Sequence, residues 1–256
     1  MRGRETRKMP SLAKAYIATI TALAAALLAV VAQQSQQWNP TNLAHVAPLF
    51  ALAMLASAMK IRLPGFKSTI SANFVFILIG IALFNFGETV LIGLGGALVQ
   101  SLWNTRNRPK AVQVLFNGAC LTVCAAAAYW VSHILPTILN LNAVPVMIVV
   151  GACVYVALNT GLVSLVISLA EGCSLKQIWP SCYEWTFPYF LVGAALVGLA
   201  SVASHGSNFG TALIVLPVMY FVHVYHRLRM IRAVLDDVSA VSQTDKAAIA
   251  EAYQDR

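Results

Sequence analysis

The apolar residues of this chain are grouped into segments that short polar or charged connections separate. The segments cover residues 15–33, 43–59, 71–85, 89–103, 111–135, 143–170, 186–204 and 209–226. A helix of about 20 apolar residues crosses the hydrocarbon core of a bilayer. The pattern therefore predicts an all-α fold, a polytopic membrane helical bundle with about eight transmembrane helices.

The third and fourth segments form an unusually short pair. Residues 71–103 have the sequence SANFVFILIGIALFNFGETVLIGLGGALVQSLW, with a single charge at Glu88. Each half has roughly 15 apolar-rich residues, fewer than a spanning helix needs. A carboxylate in such a hairpin is costly unless it meets water, a partner or a ligand. Glu88 is therefore the first candidate for ligand binding, and a solvated turn residue at the outer surface is the alternative interpretation.

Composition and charge also indicate a membrane protein. Of the 256 residues, 59% are hydrophobic and 10% are charged, whereas soluble domains have about 25% charged residues. The net charge is +8, but the cations lie in alternate connections between the apolar segments. Because Lys and Arg concentrate in cytoplasmic loops, we predict both termini inside (N-in/C-in). The expected partner is the lipid bilayer, with no nucleic acid.

The two ends of the chain differ from its middle. Residues 1–14 are predicted to be a basic cytoplasmic N-terminus, 15–226 a transmembrane domain, and 227–256 a cytoplasmic amphipathic helical tail. The first apolar run is longer than a signal-peptide core, which favours an uncleaved span. The tail is expected to relay a signal and to allow a homodimer through the C-terminal helix. Its first cations are Arg227, Arg229 and Arg232.

Catalytic motifs do not occur in this sequence. It contains no GxSxG, HExxH, Walker-type or GxGxxG pattern, and no Cys/His spacing typical of a metal site. We therefore expect no enzyme activity, no cofactor and no metal.

Polar residues inside the apolar segments are candidates for a ligand pocket. With Glu88 they are Asn73, Gln113, Asn117 and Asn159. The simpler interpretation is hydrogen bonding between helices, which contributes roughly 0.6 kcal/mol per bond in membranes. A Glu88→Gln variant is expected to weaken ligand binding or signalling while leaving folding intact.

Two places depart from a simple series of spans. Residues 61–70 are too polar to span and are expected to form an extended or interfacial lead into the third segment. The sixth segment is long, and a tilt or local break is expected at Asn159-Thr160-Gly161. Near the end of the last segment, His223 and His226 are expected at the cytoplasmic headgroup level.

Three stretches resemble a known family. KIRLPGFKSTISANFVFILIGI, GETVLIGLGGALVQSLW and RNRPKAVQVLFN resemble the N-terminal multi-helix membrane sensor domain of bacterial, often acidobacterial, HD-GYP and GGDEF cyclic-diguanylate signalling proteins. ALNTGLVSLVISLAEGCSLKQIWPSCYEWTFPYFLVGA resembles that domain's later half. The positions that match are Asn73, Glu88, Gln100, Gln113, Asn117, Asn159, Glu171, Tyr183 and Pro188. The HD-GYP and GGDEF catalytic motifs are missing from this chain.

This resemblance implies a multi-pass protein of the bacterial inner membrane. It would detect a ligand or membrane state and relay it through the C-terminal helix to a cytoplasmic signalling partner. A weaker, local resemblance is to the substrate-binding subunits of energy-coupling-factor vitamin transporters, which makes a vitamin-like substrate-binding subunit the alternative. A structural accessory subunit is the third possibility.

Overall fold

The structure is a computed structural model. It describes residues 9–34, 40–62, 69–103, 105, 109–141, 143–203, 215, 218–229, 231–232, 235–236 and 239. For residues 40–45, 61–62, 69–70, 177 and 180–186 it describes the backbone only. The start of the predicted N-terminus, most of the residues before 218 in the last predicted segment, and most of the predicted tail lie outside the described residues.

Helices make up nearly all of the described chain, as predicted. They are α1 (Ser11–Gln34), α2 (Pro40–Ala58), α3 (Asn73–Leu83), α4 (Phe86–Leu102), α5 (Ala111–Ile138), α6 (Val144–Glu171) and α7 (Leu175–Ala203). Residues 218–229 are also helical and are called α8 here. The predicted helical fold is therefore confirmed.

Three helices, α1, α5 and α6, are long and apolar enough to cross a membrane. This is compatible with the predicted membrane protein. By contrast, α3 has 11 residues and α4 has 17, which at 1.5 Å per residue gives lengths of about 16 and 25 Å. Neither reaches the bilayer core thickness of about 30 Å. The count of eight spans and the orientation stay predictions.

A short antiparallel pair of strands leads from α2 into α3. Strand β1 (Lys60–Arg62) pairs with β2 (Thr69–Ser71), with Lys60 opposite Ser71 and Arg62 opposite Thr69. The strands lie at the two ends of the segment that was expected to be extended. They add a small non-helical element to the predicted all-α fold.

Helix α6 runs without interruption through Asn159 and Gly161, so the expected break is wrong. Gly161 instead lets α7 approach closely, because a Cβ atom there would lie 3.1 Å from the Trp179 ring. Helix α6 ends at Gly172, which has a left-handed conformation with φ of 72°. Helix α7 begins soon afterwards at Leu175, in the connection between the predicted segments 143–170 and 186–204.

The short helix α3 lies at the centre of the bundle. Every residue from Asn73 to Ile81 is buried, and α3 packs against α2, α4, α6 and α7. Phe74 meets the Phe190 ring edge-on, with 4.5 Å between ring centroids, and Tyr189 at 5.5 Å. A methyl group on Gly193 would overlap the Phe74 ring. The first turn of α3 is therefore fixed by close packing against α7.

Candidate functional site

The α3–α4 hairpin has two ends, which carry different kinds of polar contact. The turn end is the connection over residues 84–88, and the open end is formed by the start of α3 and the end of α4. At the turn end, the Asn85 amide donates to Glu88 Oε2 at 3.0 Å, and the Glu88 amide donates to Asn85 Oδ1 at 2.9 Å. This reciprocal pair is a capping box. The Glu88 carboxylate, 9% exposed, thus stabilises the start of α4.

Aromatic side chains of α5 pack against this turn. The Phe86 ring stacks on Trp130, with a centroid distance of 4.9 Å and 2° between the planes. The Tyr129 hydroxyl donates a long hydrogen bond of 3.4 Å to the Phe84 carbonyl. Tyr129 also stacks on His133, with centroids 4.1 Å apart. The turn end is therefore closely packed, and the polar groups of its capping box form hydrogen bonds with one another.

At the open end, Asn73 faces the backbone of α4. Asn73 Nδ2 donates a long hydrogen bond of 3.5 Å to the Ile92 carbonyl. A Cβ atom on Gly96 would overlap the side-chain amide of Asn73. Asn73 is 1% exposed, and its Oδ1 has no hydrogen-bond partner. The glycine is needed here because the asparagine side chain fills the space that a larger residue would occupy.

Three further polar contacts continue along the open end. Ser71 Oγ donates to Gln100 Oε1 at 3.0 Å, and Asn117 Nδ2 donates to Ser101 Oγ at 3.1 Å. Gln113 Oε1 accepts from the Lys110 amide at 3.1 Å, at the N-terminus of α5. These contacts tie α4 to the chain on either side of it and stabilise the start of α5.

The predicted ligand-binding residues do not form one cluster. On α4, the groups that contact Asn73 lie four and eight residues after Glu88, about 6 and 12 Å along the helix. The partner of Asn117 lies thirteen residues after Glu88, about 20 Å away. Asn159 is half-buried on α6. The structure therefore distributes the five residues along the bundle, and ligand binding by any of them stays a prediction.

A cavity of about 310 Å³ lies between the end of α2, the start of α3 and the start of α8. The described residues that line it are all apolar or aromatic: Ala56, Met59, Ala72, Val75, Phe76, Met219 and Tyr220. Sites for small molecules usually have volumes of about 300 to 1,000 Å³. The cavity is thus just large enough for a small ligand and suited to an apolar one.

Helix α8 is held to the bundle by a buried stripe. Met219, His223 and His226 recur at i, i+4 and i+7 and are all buried. The Tyr189 hydroxyl and His223 Nδ1 are 3.3 Å apart and share a hydrogen bond. The Tyr189 and His226 rings lie 5.3 Å apart. Their level relative to the lipid headgroups stays a prediction, but the structure shows both histidines packed against α7. Their spacing from Met219 could have indicated this.

The cations expected to begin the relay, Arg227, Arg229 and Arg232, are exposed. Within the described ranges, no group of three or more His, Cys, Asp or Glu side chains is placed to hold a metal ion.

These features define a helical bundle with three helices able to cross a membrane and an apolar cavity next to its C-terminal helix. Comparisons with protein-family models, curated proteins and solved structures found no match. Function therefore has to be inferred from the geometry of the chain itself.

Proposed function

We propose that this chain is a multi-pass sensor-type protein of the bacterial inner membrane. It binds a ligand in the apolar cavity and relays occupancy through α8 to the tail that begins at Arg227. One observation carries the proposal: the cavity wall combines the first turn of α3 with Met219 and Tyr220 of α8. A ligand there contacts both the centre of the bundle and the helix that leads to the tail.

The two walls differ in how firmly they are held. Ala72, Val75 and Phe76 belong to the buried start of α3. On α8, Met219 is 3% exposed and Tyr220 is 54% exposed, so α8 packs against the bundle along one stripe only. A ligand shifts a conformational equilibrium only through different affinities for the two states. Because α3 is surrounded by other helices, the position of α8 is the variable that ligand binding can bias. A ligand in the cavity would therefore shift α8, and this shift is the proposed relay to the tail.

Cations near the open end support the proposed orientation. The Lys60 ammonium donates to the Trp103 carbonyl just after α4, and Lys110 precedes α5. Both lie at the open end of the hairpin. The positive-inside rule places such a surface in the cytoplasm, which agrees with an N-in/C-in topology.

We assign the output of this sensor to a second protein, because these 256 residues contain none of the hydrolase, nucleotide-binding, HD-GYP or GGDEF motifs. A cytoplasmic signalling partner, or a second copy of the chain paired through its tail, would receive the movement of α8.

Hydrogen–deuterium exchange of the full chain in nanodiscs tests the relay. Ala56→Leu places extra side-chain atoms in the cavity, and we expect the exchange rates of amides 218–229 to change several-fold. Leu55→Phe is the matched control, because Leu55 is adjacent on α2 but 66% exposed. Unchanged exchange in α8 with a filled cavity would exclude the relay.

A substrate-binding transporter subunit is the second candidate. The cavity of about 310 Å³ favours it because a small molecule fits a cavity of this size. Such a subunit needs an ATPase and a coupling membrane protein. Their co-purification with the chain would support transport, whereas co-purification with a cyclase or response regulator would support sensing.

A further inference from the structure

We propose that the ligand of the cavity is an anionic phospholipid of the surrounding bilayer. One acyl chain lies in the cavity, and the phosphate headgroup binds Arg227. The inference rests on the proposed function in using the same cavity, but it identifies the class of ligand.

The cavity suits part of an acyl chain. A water molecule occupies about 30 Å³ of liquid, and a methylene group is of similar size, so 310 Å³ holds about ten methylene groups. In a bilayer an acyl chain gains little from leaving other chains, since both surroundings are apolar. It does gain the dispersion contacts that the walls of an empty cavity lack.

The rim of the cavity faces the surroundings of the bundle. Tyr220 lines the cavity and is more than half exposed, and its neighbours Val218 and Phe221 are exposed as well. Exposed apolar side chains on the α8 side of the rim favour entry from the bilayer. A lipid chain can therefore enter sideways without crossing the packed core.

Charge complementarity places the headgroup. Tyr220, Val224 and Arg227 recur at i, i+4 and i+7 and share one face of α8. Arg227 lies two turns beyond Tyr220, about 10 Å along the helix. A guanidinium binds phosphate through two parallel hydrogen bonds. A lipid lying along this face has its chain at Tyr220 and its phosphate at Arg227.

Arg229 provides the internal control. It lies nine residues after Tyr220, on the opposite face of the helix. Both arginines are exposed and carry the same charge. A general attraction of anionic lipid to basic residues would involve both arginines, whereas a site continuous with the cavity involves Arg227 alone.

The test uses the full chain in phosphatidylcholine nanodiscs that contain a minority of phosphatidylglycerol with a diazirine in one acyl chain. After irradiation, we expect adducts on cavity residues, chiefly Met59, Met219 and Tyr220. Arg227→Gln is expected to lower the yield about fivefold, the effect of losing one interfacial cation contact. Arg229→Gln is expected to change it less than about twofold. Ala72→Leu, which fills the cavity, should also lower it several-fold.

Three outcomes would overturn the proposal. They are adducts located away from the cavity, equal losses with the two arginine variants, and equal labelling by a diazirine phosphatidylcholine or a diazirine fatty acid. If Ala72→Leu fails to give a monodisperse protein, Ala56→Leu replaces it, and the adduct map of the unaltered chain decides in any case. The exchange experiment on Ala56→Leu needs no labelled lipid, so failure of the lipid site is distinguishable from failure of the relay.

Discussion

The polar groups at the two ends of the α3–α4 hairpin find their hydrogen-bond partners in different ways. At the turn end, Asn85 forms hydrogen bonds with Glu88 and with Thr89, which follow it by three and four residues. At the open end, the contacts join residues that are far apart in sequence, such as Asn117 with Ser101. The turn end is therefore a closed local motif, and the open end depends on how whole helices are placed.

This difference changes where a ligand is expected. The charge of Glu88 is the most conspicuous feature of the sequence, but its carboxylate accepts from the Asn85 amide at the N-terminus of α4, where the helix dipole also favours an anion. The hydrogen bond and the helix dipole thus offset the free-energy cost of burying the Glu88 charge, and no ligand is needed for that. The described residues that line the cavity beside the open end carry no charge, so nothing in the sequence marks it, yet it is the space that a ligand can fill.

The largest effect on stability is expected at the close contact between α3 and α7. Gly193→Ala forces a methyl group into the Phe74 ring and should lower the free energy of unfolding by about 2 kcal/mol, as overpacking of a core does. Unfolding by SDS in mixed micelles measures it. Gly198→Ala on the same helix is the control, because nothing lies within 4 Å of a Cβ there. Equal effects would contradict the described packing.

The turn end should be less sensitive. Asn85→Ala removes the side-chain acceptor of the Glu88 amide and is expected to cost about 1 kcal/mol of stability. The same SDS titration measures the loss. A loss as large as that of Gly193→Ala would show that the turn organises more than its own helix start.

A double-mutant cycle measures a long-range polar contact at the open end. We expect Asn117→Ala and Ser101→Ala to be coupled by about 0.6 kcal/mol, the average for hydrogen bonds between membrane helices. A coupling energy near zero would mean that the 3.1 Å hydrogen bond does not stabilise the packing of α4 against α5.

The smallest effect is expected for Glu88→Gln. Glutamine also serves as the third residue of a capping box, so stability should change by only a few tenths of a kcal/mol. The charge of Glu88 in the sequence predicts that this variant weakens ligand binding, but the capping box gives Glu88 a structural role that needs no ligand. Lipid photolabelling that drops in this variant while folding persists would restore the turn end as a site.

How far the sequence could predict these regions depends on how local the contacts are. The helices follow from their apolar runs, and the Asn-x-x-Glu spacing of Asn85 and Glu88 is visible as a cap in the sequence. The expected break in α6 is wrong because the role of Gly161 depends on another helix: the glycine makes room for Trp179 of α7. Gly161 and Trp179 lie on different helices, so the pattern of neighbouring residues does not show that they are in contact.

The cavity could not be predicted for the same reason. Ala56, Ala72 and Met219 come from three separate segments, and small or flexible apolar residues are common throughout the chain. Only the placement of α2, α3 and α8 shows that these residues leave a space between them.

Hydrogen–deuterium exchange of amides 218–229 in the full chain tests the central claim most directly, by comparing Ala56→Leu with Glu88→Gln in the same nanodiscs. If the cavity controls α8, Ala56→Leu changes these rates several-fold, and Glu88→Gln leaves them as they are in the unaltered protein. The opposite result, an effect of Glu88→Gln alone, would contradict the account and place control of the C-terminal helix at the turn end.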